Sequence, residues 1–163
     1  MKDLNEYVIA YQKQLQEGKI QIAYKGIMSF MGKLKSYLSE MHSDYLVGAL
    51  YFGYMDMTYF AITTTELKDK QLKIAVVYLH QENCFELWLS ATNKKIQAQY
   101  IDKLKDKDLK GYQLSVSQPG IDSIIESRII DHPNFNESIS LKVELDKLTQ
   151  KFIEDVKEMI IDL

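Results

Sequence analysis

Two acids in this chain stand where a carboxylate could do chemistry. Asp56 is the single charge in GYMDMTYF, residues 53–60, and Glu86 lies among apolar neighbours in CFELWLS, residues 84–90. A buried carboxylate has its pKa raised unless a cation or a hydrogen-bond donor answers it. Two such acids on neighbouring strands could share a divalent cation through their oxygens. One of them could instead orient the polar end of a small molecule. Tyr54, Tyr59 and Trp88 stand near these acids in the sequence, and aromatic rings with polar tips are common pocket walls. The ligand-binding set expected from the residues is therefore Tyr54, Asp56, Tyr59, Glu86 and Trp88. No catalytic residue, resident metal or cofactor is assigned. The plainer reading makes Asp56 a turn residue beside Gly53 and Glu86 a paired strand residue, since perturbed acids are often structural.

Other candidates carry less. His80 and Cys84 flank a short link, but two ligands do not make a metal site, and His42 and His132 have no helpful spacing. Tyr51, Phe52, Tyr54, Tyr59 and Phe60 could stack on bases, yet that segment holds no lysine or arginine to supply a basic field. The lysine-rich run 94–110 alternates with Asp102, Asp106 and Asp108, as a solvated helix face and loop would. No Walker loop, GxGxxG, nucleophile elbow or HExxH motif occurs.

The bulk properties narrow the setting. A chain of 163 residues suits one domain, spanning 1–163, and buries roughly 70% of the surface that its unfolded form exposes. A hydrophobic content of 46% with 26% charged residues argues against disorder. The net charge of −3 disfavours nucleic acid as a partner. The one cysteine excludes a disulfide framework within the chain. The first residues lack a continuous apolar run, and the longest such run, IAVVYL at 74–79, is too short to span a bilayer. A cytoplasmic protein with no membrane partner is the expectation.

Those candidates must be positioned by elements whose periods change along the chain. Leu4, Tyr7, Val8, Tyr11 and Leu15 have helical spacing, and Gly18 is placed to stop that helix. A longer helix follows from about Ile20 to Met41. Gly26 and Gly32 cost it roughly 1 kcal/mol each relative to alanine, and close packing against another element is the expected reason. The period then becomes two. Residues 44–64 predict two strands, and 72–80 with 84–90 predict a hairpin. With an even-numbered link, Ile74, Val76 and Tyr78 share a face with Phe85, Leu87 and Leu89. Ala75, Val77, Leu79, Cys84, Glu86 and Trp88 then form a second, mostly apolar face that a helix or a partner should cover. Helical spacing returns at 96–104. Residues 111–120 predict a fifth, edge-like strand, and SIIE at 123–126 predicts a short helix with a capping box. A last helix carries Leu141, Leu145, Leu148, Phe152, Val156 and Met159. Consecutive strands before any crossover argue for an α+β fold. It would have a mainly antiparallel sheet of four or five strands, packed by the N-terminal helix pair and the C-terminal helices.

The stretches GYMDMTYF, LKIAVVYLH, FELWLSATNKKIQ and GIDSIIE resemble an uncharacterised bacterial domain family, a domain of unknown function, from Leu4 to about Ile160. That resemblance implies no activity. The order of elements also loosely resembles the core of nucleases built on a helix, three strands, a helix and a strand. Those enzymes place a lysine two residues after their second acid, where this chain has Trp88. The residues point first to a non-catalytic module binding a small molecule or a protein through the Trp88 and Glu86 face. The alternatives are a divergent metal-dependent hydrolase or nuclease with Asp56 and Glu86 as metal ligands, and a homodimer closed through that second sheet face.

Overall fold

A computed structural model of the chain describes residues 3–163. Helix α1 (Leu4–Gln16) is capped by Asp3, whose carboxylate accepts from the Asn5 amide at 2.8 Å. Gly18 separates it from α2 (Lys19–Met41) by taking φ +75°, a left-handed conformation that glycine adopts without a Cβ penalty. Five strands then form one antiparallel sheet in sequence order: β1 (Leu46–Val47), β2 (Met57–Thr63), β3 (Leu72–Leu79), β4 (Cys84–Ala91) and β5 (Ser123–Asp131). A short helix, α3 (Thr65–Asp69), joins β2 to β3, and α4 (Lys94–Leu104) follows β4. A 3-10 turn at Phe135–Glu137 leads into α5 (Ser138–Ile160). The architecture is α+β, as the run of consecutive strands implies. No described helix is long and apolar enough to cross a membrane.

The β3–β4 hairpin has the even register. Ile74 pairs with Leu89, Val76 with Leu87 and Tyr78 with Phe85. Their shared face joins Met31, Leu34 and Leu38 of α2 and Leu145, Phe152 and Val156 of α5 in one buried cluster. Burying a large aliphatic or aromatic side chain contributes about 1.5–3 kcal/mol, so this face holds the fold together. Ala75, Val77 and Cys84, on the opposite face, are also buried but stand outside that cluster.

Three expectations need correction. Residues 111–120 are not a strand. They form a loop with a single bridge between Leu114 and Ile125, and Gly111 and Gly120 both take positive φ. The fifth strand is instead Ser123–Asp131, where a helix start was expected. The Ser and Glu of the apparent capping box do meet, with Ser123 Oγ donating to Glu126 Oε1 at 2.7 Å, but on an extended backbone. Pairing with β4 gives that isoleucine-rich segment its backbone partners, and this outweighs a local capping signal. Within 44–64 the two expected strands are present, as Leu46–Val47 and Met57–Thr63, and the unforeseen α3 caps on Thr64 after them. Finally, a Cβ added to Gly26 or Gly32 would meet nothing within 4 Å, so neither glycine serves close packing inside the chain.

Candidate functional site

The second sheet face carries the expected site residues in rows set by the register. Tyr59, Val77, Glu86 and Arg128 lie side by side across β2 to β5, and Ala75 pairs with Trp88 one row on. Glu86 is 7% exposed, and both of its oxygens are occupied. Trp88 Nε1 donates to Oε1 at 2.8 Å, and Arg128 Nε donates to Oε2 at 3.2 Å. A cation and a neutral donor thus answer the buried carboxylate, as burial of a charge requires. The arrangement also locks the indole, because a tryptophan has one polar proton and Glu86 holds it. Arg128 reaches Asp131 as well, at 3.5 Å. No helix is needed over this part of the face, because the Glu86, Trp88 and Arg128 side chains lie across it.

Beside Trp88 the face opens into a cleft of about 240 Å³. Met57, Tyr59, Ala75 and Trp88 form its apolar floor, while Lys73, Ser90, Asn93, Lys94, Gln97 and Asp122 bring polar groups to it. Its helical side begins at Asn93, which caps α4 by accepting from the Ile96 amide at 2.9 Å. One turn later Gln97 is only 2% exposed. Its Nε2 donates to the carbonyls of Ile121 at 2.8 Å and Ser123 at 2.9 Å, which ties α4 to the entry of β5. Both amide hydrogens are used, so the Gln97 carbonyl oxygen is the atom left to serve the cleft. Lys94 is held on the rim by Asp122 at 3.1 Å and by the Ile121 carbonyl. The cleft therefore offers two aromatic walls, the free Gln97 carbonyl oxygen, the Ser90 hydroxyl and a rim of mixed charge.

Two expected site residues lie elsewhere. Tyr54 is 89% exposed, and Asp56 sits in the same exposed turn. Asp56 Oδ1 accepts from the Tyr54 amide at 2.9 Å, and that bond is the main reason its carboxyl titrates below the usual value. Its backbone carbonyl accepts from the His80 amide at 3.0 Å, which fastens the turn to the end of β3. Gly53 makes this turn possible. It takes φ +75°, and a Cβ there would stand 1.9 Å from the Met57 carbonyl oxygen. The structure thus brings Tyr59 and Trp88 to one cleft and sets Glu86 behind Trp88. Tyr54 and Asp56 line no part of that cleft.

His80 has a structural partner, and Cys84 is a buried free thiol. Thr58 Oγ1 donates its only proton to the Phe52 carbonyl at 2.7 Å, so it accepts from His80 Nε2 at 2.8 Å. Burial lowers the His80 pKa, which suits this neutral ring. Burial likewise raises the Cys84 thiol. Among the described residues, no group of three or more His, Cys, Asp or Glu side chains could hold a metal ion.

Sequence reasoning missed Ser90, Gln97, Lys94 and Asp122. A usable signal was present, since Asn93 is a helix cap placed directly after a strand, and strand-to-helix junctions commonly border clefts. What could not be read was the return of residues 121–123 to Gln97, because that contact depends on β5 being a strand.

Compared with known proteins, the chain matches the family model described as Domain of unknown function (DUF7000) over residues 4–160. No curated protein and no solved structure matches it. The chain belongs to this domain-of-unknown-function family.

Proposed function

We propose that this family member is a binding module whose cleft beside Trp88 takes a small, flat molecule carrying a hydrogen-bond donor. The observation that supports this reading is the pairing of aromatic walls with an acceptor oxygen, on the side chain of Gln97, that no other group uses. Tyr59 and Trp88 present ring surface, and Gln97 presents a carbonyl oxygen whose own amide hydrogens are already committed. A rigid wall favours binding because little freedom is lost when the ligand arrives. The Glu86 hydrogen bond supplies that rigidity to the indole. The volume of about 240 Å³ lies just below the usual range for ligand pockets, which points to a compact metabolite.

A thermal-shift screen against metabolites, nucleotides and divalent metals tests this reading. A ligand at about a hundred times its dissociation constant should add roughly 2.7 kcal/mol of stability. The shift should disappear in Trp88→Ala, weaken in Glu86→Gln and Gln97→Ala, and survive in Asp56→Asn. An organic-ligand shift untouched by Trp88→Ala would sink the assignment. A shift with Mg²⁺ or Mn²⁺ that is lost in Asp56→Asn would replace it with a metal-dependent hydrolase or nuclease.

A further inference from the structure

The charges around the Trp88 cleft do not cancel. Its ionised lining residues are Lys73, Lys94 and Asp122. Lys94 and Asp122 pair with each other at 3.1 Å on the exposed rim, and Lys94 also donates to the Ile121 carbonyl. Lys73 is different. It is half-buried, and among the described residues it has no ion-pair partner. The cleft is thus left with one uncommitted positive charge.

The sheet register sets what stands beside that charge. Lys73 pairs with Ser90 across the β3–β4 ladder, in the row next to Ala75 and Trp88. Paired residues of an antiparallel ladder share a face, with Cβ atoms about 5 Å apart. The lysine and the serine therefore rise together from the cleft floor beside the indole. Ser90 is only 7% exposed, and its hydroxyl makes no hydrogen bond among the described residues. Among those residues no buried side-chain polar atom is left without a partner, so this unbonded hydroxyl opens onto the cleft that Ser90 lines. On the helical side Gln97, 2% exposed, offers its unused carbonyl oxygen. The N-terminal end of α4 borders the same space at Asn93 and Lys94, and its dipole adds to the positive potential.

We propose that the ligand of this cleft is a small aromatic monocarboxylate. Its carboxylate accepts from Lys73 Nζ and Ser90 Oγ, its ring lies against Trp88 and Tyr59, and a ring-borne N–H or O–H donates to the Gln97 carbonyl oxygen. A single carboxylate matches a single uncommitted lysine. A phosphate monoester carries a charge of about −1.5 to −2 at neutral pH, more than that one lysine answers. The inference rests on the reading of the cleft as a binding site, and it adds the sign of the ligand and the direction in which it lies.

Calorimetric titration of the full chain with matched acids and amides provides the test. The probes are 4-hydroxybenzoate against 4-hydroxybenzamide, and pyrrole-2-carboxylate against pyrrole-2-carboxamide. Each pair keeps the ring and its donor and changes the charge. The wild type should bind at least one acid about tenfold or more tighter than its amide, as a hydrogen bond to a charged group implies. Lys73→Met should abolish that preference without weakening the amide, and Ser90→Ala should reduce it. Trp88→Ala should weaken acid and amide alike. Neither Lys73 nor Ser90 belongs to the core cluster against α2 and α5, so both variants should keep the wild-type circular dichroism. An amide bound as tightly as its acid, and lost in Trp88→Ala, overturns this proposal alone and leaves the cleft as a site for neutral molecules. A preference that survives Lys73→Met also overturns it, because the charge is then read elsewhere. Failure of every probe to bind at millimolar concentration overturns it together with the reading on which it rests.

Discussion

The two faces of the sheet are built from neighbouring residues of the same two strands, yet they do different work. On one, Ile74, Val76, Phe85, Leu87 and Leu89 are fully buried against α2 and α5. On the other, Val77 and Cys84 are equally buried, but the layer above them is the polar chain Trp88, Glu86, Arg128 and Asp131. The first face supplies stability through apolar area, which is non-directional. The second supplies geometry, because hydrogen bonds fix where the indole points. The difference teaches where function can sit. A face closed by helices is spent on folding, whereas a face held in place by side-chain pairing can keep a cleft open.

Substitutions can break this contrast in order of effect. Phe85→Ala, on the closed face, should cost about 3–5 kcal/mol in urea-unfolding experiments, from lost transfer energy and a residual cavity. Gly53→Ala should cost roughly 3 kcal/mol in the same experiments, because a left-handed conformation and a backbone clash combine at that turn. Arg128→Ala, on the open face, should cost much less than either, since the arginine is 45% exposed at its side chain and solvent replaces part of what Glu86 loses. If Arg128→Ala proved as costly as Phe85→Ala, the division between the faces would fail.

A separate effect is a pH dependence on the helical side, which shows only at high pH. Burial pushes the hydroxyls of Tyr45 and Tyr112 up to about 12, with the Asp155 hydrogen bond adding to the shift at Tyr112. A raised folded-state pKa means that the unfolded chain ionises first. Their contribution is thus complete below about pH 10 and is lost as the pH rises toward 12. Ultraviolet titration should show these two tyrosines ionising last, with stability falling over the same interval. His80 gives the opposite sign at the other end. Its pKa is lowered by burial, so stability should decline as the pH falls below about 6.5, where the unfolded histidine takes up its proton first. A His80→Gln variant should flatten that decline.

Much of the fold was legible in the sequence. The change from a 3.6-residue to a two-residue period placed the helices and the central hairpin, because amphipathic periodicity follows directly from how each element presents its side chains. The hairpin register was legible too, since one dense apolar face can be buried in only one parity. Glu86 and Trp88 were legible on one face for the same reason, whereas the place of Tyr59 beside them follows from the β2–β3 pairing. Tertiary structure decided the rest. The segment 123–131 carries a helix-capping pattern and many isoleucines, and only the unpaired edge of β4 selects a strand. Gln97 becomes a cleft residue only because that strand returns residues 121–123 to it. His42 meets Asp146 at 2.6 Å across 104 positions of sequence, a contact with no local signal. Local periods and turn residues act within a few positions, so the chain writes them directly. Which edges pair and which side chains converge depends on distant segments competing for the same surface, and that competition is settled only when the whole chain has packed.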